Sequence, residues 1–314
     1  MNPAATAAHR FETHATLDRA QRAINQIVVG KPEVVRLALA CLLARGHLLI
    51  EDVPGVGKTI LAHTLARVLG LPFARIQFTS DLLPADIVGV SVYDANAGNF
   101  RFHPGPLFAS VVLADEINRA TPKAQSALLE AMEERQVTAE GQTHALPQPF
   151  FVIATQNPRH QIGTFPLPES QLDRFLMRLH LGFPDRTAEA ALLKGQDRRE
   201  MLKSLPPVFD ARQLLEWQCA AAGVVVSDAL IAYVQALLAA SRRGGEWPAL
   251  SPRAGLSLLA AARAHALLTG RELVLPEDVQ TVAPAVFSHR LAPEAGGAQG
   301  AALVQGLIRA VPIP

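Results

Sequence analysis

Two hydrophobic rhythms divide the chain. In the first half, short apolar runs at His47–Glu51, Phe73–Phe78, Ser110–Ala114, Phe150–Thr155 and Met177–Leu181 are separated by segments of helical length. Runs of this size, bounded by turn residues, fit buried strands, and their alternation with helices predicts a five-stranded parallel sheet covered on both faces. Leu17, Ala20, Ile24 and Ile27 recur at helical spacing, Val28–Pro32 interrupts them, Val34–Ala44 resumes the pattern, and Thr59–Leu69 follows the first strand. Two stretches break the rhythm. Ser91–His103 turns at Asn96-Ala97-Gly98 and Gln136–Leu146 turns at Glu140-Gly141; each holds two alternating runs and reads as a β-hairpin projecting from the body. Beyond Pro184 the strands stop. Asp210–Ala221, Ser227–Ser241, Pro252–Thr269 and Pro276–Arg290 have helical spacing, and Asp210, Ser227 and Ser251 stand where helix caps belong.

The pattern thus predicts a flexible polar N-terminus at 1–15, an α/β body at 16–184 and a helical second domain at 185–314. Aromatics make up only 5% of the chain, so its cores are expected to be built from small aliphatic side chains. The net charge of +1 gives no sign of a nucleic-acid binder. Cys41 and Cys219 have no CxxC neighbour, and the histidines, His103, His144 and His160 among them, lack metal-binding spacing; no metal–thiolate site or disulfide framework is expected. The first residues carry no apolar signal segment, and no apolar run is long enough to span a bilayer, which points to the cytoplasm.

Chemistry enters at Pro54-Gly55-Val56-Gly57-Lys58-Thr59, between an apolar strand and a helix. The two glycines let successive backbone N–H groups turn inward toward phosphate oxygens, and the Thr59–Leu69 helix that follows adds its positive end, with Ile60 among the nucleotide-binding residues. Lys58 would reach the β- and γ-phosphates and the Thr59 hydroxyl would bind Mg²⁺. The first glycine of the full phosphate-loop pattern is replaced by Asp52. Val111-Val112-Leu113-Ala114 then leads into Asp115-Glu116 at the carboxyl edge of a strand, where open α/β sheets bind ligands. Asp115 would hold Mg²⁺ and Glu116 would polarise an attacking water. Asn157, in Thr155-Gln156-Asn157-Pro158, ends another strand and would orient that water beside the γ-phosphate. Arg174 lies on a short helix before the last strand, where it would reach a neighbouring subunit's nucleotide or else pair with Asp173 or Glu169; Arg178 and Arg119 are alternatives for the same task. Arg253, after Ser251-Pro252, would close over the γ-phosphate of its own subunit.

In this order, phosphate loop (Walker A), Asp-Glu strand (Walker B), Asn sensor, helix-borne arginine and Ser-Pro-Arg in a helical domain, the chain resembles an AAA+ ATPase. Longer blocks narrow the resemblance to the MoxR family: Thr79–Gly89, His103–Phe108, Ala114–Ala120 and Gly163–Phe175. The resemblance implies an AAA+ αβα core with hairpin inserts and a small all-α lid, ATP and Mg²⁺ as ligands, and a chaperone-like, ring-forming ATPase, as a hexamer. It also implies an adenine pocket at Val29-Gly30, although Lys31 stands where Gln is common, and work alongside proteins with a von Willebrand factor A domain. Tyr93, Phe100 and Phe102 of the first hairpin would grip a client in the pore or else face the core. Two other readings stay open: a nucleic-acid motor, against which the hairpins offer Arg101, His103 and His144 but no cationic cluster, and a slow ATP-controlled assembly switch, against which Glu116 argues.

Overall fold

A computed structural model describes residues 3–96, 98–157, 164–195, 197–243, 247–294 and 297–313. Ala97, Pro158, His160 and Gly163 lie outside the described residues. Helices α1 (Pro3–Ile27) and α2 (Pro32–Leu43) precede β1 (Leu48–Glu51). The phosphate-loop segment leads into α3 (Lys58–Val68), β2 (Phe73–Gln77) and the short α4 (Pro84–Val88). The first hairpin is β3 (Gly89–Asp94) with β4 (Asn99–Pro104). Then come β5 (Val111–Asp115), α5 (Pro122–Glu134), the second hairpin of β6 (Gln136–Ala139) and β7 (Gln142–Ala145), β8 (Phe151–Gln156), α6 (Glu169–Leu172) and β9 (Met177–Leu179). The expectation of an unstructured segment at 1–15 needs correction, because α1 begins at Pro3.

β1, β2, β5, β8 and β9 form one parallel sheet in the order β2-β5-β8-β1-β9. Side chains of successive strand residues point to opposite faces. Leu48, Ile50, Val111, Leu113 and Ile153 accordingly enter one apolar core with α1, α2 and α3, while Leu49, Val112, Ala114, Val152 and Ala154 enter a second core with α5. Both faces are therefore closed, which is why these strands read as continuous apolar runs rather than as alternation.

The helical part is α7 (Arg186–Lys194), α8 (Arg198–Ser204), α9 (Ala211–Ala222), α10 (Asp228–Arg242), α11 (Pro252–Leu268), α12 (Pro276–Leu291) and α13 (Gly297–Ala310). Its caps are as expected: Asp210 accepts from the Gln213 N–H, Ser227 from Leu230 and Ser251 from Ala254. A single bridge between Val225 and Leu273 is its one described strand-like feature. Trp217, Leu258, Val282 and Val304 continue the first core, so these helices dock on α2 and on the β9 edge of the sheet.

Candidate functional site

At the carboxyl edge of the sheet, the ends of β1, β5 and β8 converge on a cavity of ≈ 320 Å³ lined by Pro54, Gly55, Gly57, Lys58, Thr59, Ile60, Asp115, Glu116 and Asn157. Gly55 and Gly57 adopt φ of +88° and +100°, and a Cβ on either would meet nothing within 4 Å. The loop is thus an open cradle in a backbone form that side chains disfavour. Lys58 folds back over it, donating to the carbonyls of Asp52 (2.5 Å) and Val53 (3.2 Å) and approaching Asn157 Oδ1 at 3.5 Å. Partial burial lowers its pKa, opposed by the charges of Asp52, Asp115 and Glu116.

The acidic pair is held by residues that sequence reading did not single out. Thr155 Oγ1 donates to Asp115 Oδ1 (2.6 Å) and accepts from the Glu116 N–H (2.9 Å). Arg75 reaches Asp115 Oδ2 through Nε (3.1 Å) and Nη2 (2.5 Å). Glu116 itself has a left-handed backbone, φ +57°, which turns its side chain off the strand line. Its Oε1 accepts from Asn157 Nδ2 (3.1 Å), and its Oε2 from Gln77 Nε2 (3.1 Å) and Arg119 Nη1 (2.9 Å). The available signal was the polar pair Arg75 and Gln77 at alternate positions of a strand, flanking buried Ile76.

Hard oxygen donors on Thr59 and Asp115 line one cavity with the cradle, and Mg²⁺ is held in such sites by one or two protein oxygens together with phosphates and water. The residues therefore fit this ion. The Val29–Gly30 turn is not among the residues that line the cavity; it packs on the Phe183–Ala188 segment. A Cβ on Gly30 would lie 2.6 Å from Ala188 Cβ, and Lys31 Nζ donates to the Phe183 carbonyl at 2.6 Å. Asp52, in the place of the usual glycine, accepts from the Val53 N–H (2.8 Å) and the Gly182 N–H (2.6 Å), tying the loop entrance to that same segment.

The remaining arginines are elsewhere. Arg174 and Arg253 line a second cavity, ≈ 330 Å³, together with Arg45, Gly46 and His47, which precede β1, whereas the phosphate loop follows it. The two cavities share no described lining residue and stand at opposite ends of a strand that rises about 3.3 Å per residue. The expectation that Arg253 closes over its own phosphate loop is thus corrected: the helical domain docks along α2 and β9, which carries the start of α11 to the other edge. Arg253 Nη2 contacts Glu133 Oε1 (3.1 Å), and Arg174 contacts Glu133 Oε2 (3.0 Å) and the Leu129 carbonyl (2.5 Å), not Asp173 or Glu169. Arg178 is enclosed, 1% exposed, against Glu51 and the Ala292 carbonyl, and Arg119, 57% exposed, pairs with its own Glu116.

A parallel five-stranded sheet with this strand order, a phosphate loop after β1 and an Asp-Glu pair after β5 define a P-loop ATPase of the AAA class. Residues 47–177 match the ATPase family associated with various cellular activities, and residues 249–306 match the AAA lid domain. The chain is 45% identical to the uncharacterized protein YeaC of Bacillus subtilis over 98% of both chains. It is 43% identical to the chaperone MoxR1 of Mycobacterium tuberculosis over 89% of this chain and 76% of that one. A crystal structure of a putative ATPase from Cytophaga hutchinsonii superposes with a TM-score of 0.87 at 33% identity, covering 99% of this chain and 98% of the other. The chain belongs to the MoxR family of AAA+ ATPases. No described helix is long and apolar enough to cross a membrane.

Proposed function

We propose that the chain hydrolyses ATP with Mg²⁺ in a ring of identical subunits, a hexamer by family resemblance, and uses the cycle to remodel or mature a protein partner. The observation that carries this reading is the division of the machinery between two edges of the sheet. Lys58, Thr59, Asp115, Glu116 and Asn157 share one cavity, while Arg174 and Arg253 share another with no lining residue in common with the first. A head-to-tail ring brings unlike edges of successive subunits together, so the arginines of one copy would meet the phosphates of the next.

In that arrangement the loop N–H groups and Lys58 bind the phosphate chain, and the Val29–Gly30 turn with the Gly182–Ala188 segment borders the base. Thr59 and Asp115 would hold Mg²⁺, which supplies charge neutralisation on the phosphates. Glu116 accepts a proton from water that Asn157 helps orient; both lie within hydrogen-bond reach of each other at 3.1 Å. The chaperone name of the mycobacterial relative supports a protein client, and family resemblance suggests a partner with a von Willebrand factor A domain.

The test is Mg²⁺-dependent ATPase activity of the wild type and Glu116→Gln, with assembly followed by light scattering. Loss of a positioned base is typically worth ~10²–10⁴ in rate, so the variant should bind ATP and assemble while turnover drops by at least about 100-fold. Equal rates in the two proteins would contradict the role of Glu116.

A further inference from the structure

One carboxylate holds both arginines of the second cavity. Glu133, at the end of α5, gives Oε1 to Arg253 of the helical domain (3.1 Å) and Oε2 to Arg174 of the α/β body (3.0 Å). Around them, Arg45, Arg135 and Arg290 also line the cavity, so five guanidinium groups face two carboxylates, Glu133 and Asp173. The two acids are not equivalent. Asp173 is locked by Arg290, whose Nε bonds Oδ1 at 2.6 Å and whose Nη2 bonds the Asp173 carbonyl at 3.2 Å, with only 7% of the Arg290 side chain exposed; its Oδ2 lies at the longer distance of 3.7 Å from Arg253 Nε. Glu133 is open to water, and part-exposed pairs of its kind are weak enough to exchange.

Resting on the trans-arginine reading above, we infer that Glu133 is a resident stand-in for the phosphate of a second copy's nucleotide. Carboxylate and phosphate present similar paired oxygens to a guanidinium, and a nucleotide's phosphate chain carries more negative charge. In a cavity with surplus positive charge the phosphate chain wins that exchange. Glu133 then keeps Arg174 and Arg253 side by side in the lone chain, and its displacement is part of what assembly must overcome. The carboxylate sets a threshold for engagement rather than taking part in hydrolysis.

The experiment compares the wild type, Glu133→Gln, Glu133→Ala and Arg174→Ala as full chains. ATP-dependent assembly and ATPase rate per subunit are measured across protein concentration. Both Glu133 variants should reach half-maximal assembly and activity at a protein concentration roughly three- to tenfold below that of the wild type, the scale of two part-exposed ion pairs. Arg174→Ala should be inactive at every concentration. If Arg174→Ala is inactive but the Glu133 variants match the wild type or need more protein, Glu133 is a structural prop and the inference is overturned while the trans reading stands. If Arg174→Ala is as active as the wild type, the trans reading fails and takes the inference with it.

Discussion

The hydroxyl of Thr155 does more at the acidic edge than its size suggests. It is fully buried, accepts the Glu116 N–H and donates to Asp115, so it fixes both the turn and the carboxylate that follow β5. Thr155→Val keeps the shape and strands both partners. Unfolding by denaturant should show a loss of about 1–3 kcal/mol, the usual cost of unsatisfied buried groups. Asp52 illustrates the reverse case, a departure from the family pattern with a visible task at Gly182. His47, beneath the arginine cavity, is buried and accepts the Val152 N–H on Nδ1 while Nε2 faces the Met132 carbonyl at 3.2 Å. Burial pushes its pKa down to about 4 from 6.5. The folded chain therefore resists a proton that the unfolded chain accepts. The stability this gives is complete above pH ~6.5 and drains as pH falls toward ~4, up to about 3 kcal/mol in total. A pH series of denaturant unfolding checks it: the slope between pH 7 and 4 should flatten in His47→Gln. His289, also buried and shifted the same way, leaves a residual slope.

At the scale of elements, the two hairpins are joined by their aromatic side chains. Phe102 stacks on His144 across hairpins, with centroids 4.1 Å apart and planes 12° apart, and meets Phe108 edge-on. Tyr93 and Phe100 pack on each other at 5.3 Å but stay 56% and 70% exposed. Phe102 thus belongs to the scaffold, and of the three aromatics only Tyr93 and Phe100 are presented outward. Thermal unfolding should separate them: Phe102→Ala lowers stability by about 1 kcal/mol or more, whereas Tyr93→Ala and Phe100→Ala stay within about 0.5 kcal/mol. Both hairpins were legible because alternation around a turn is a local signal. Helix α13 was not, since Gly297, Gly300 and Gly306 lower helix propensity there. Packing overrides that: a Cβ on Gly300 would stand 3.1 Å from both Arg178 Nη2 and Ser288 Cβ.

Across the whole molecule, what could be read from sequence is what contiguous residues encode. The phosphate loop, the Asp115-Glu116 pair and Asn157 each end an apolar run, and one parallel sheet gathers such ends on one edge. The position of Arg253 could not be read this way, because it depends on where α11 docks, and the apolar faces of α2, α9 and α11 carry no local address. Arg75 and Gln77 were hidden for a related reason, since only strand order puts β2 beside β5. The resulting separation of arginines from phosphate loop is the basis of the central claim, that each site is completed by a second copy. Mixing two inactive variants tests it most directly. Glu116→Gln lacks the base but keeps the arginines, and Arg174→Ala keeps the base but lacks the finger. In randomly mixed rings, about a quarter of interfaces would pair an intact Glu116 with an intact Arg174. The account predicts that ATPase activity returns on mixing, up to about that fraction of the wild type. Activity that stays at the level of the separate variants, in rings shown to exchange subunits, would contradict it.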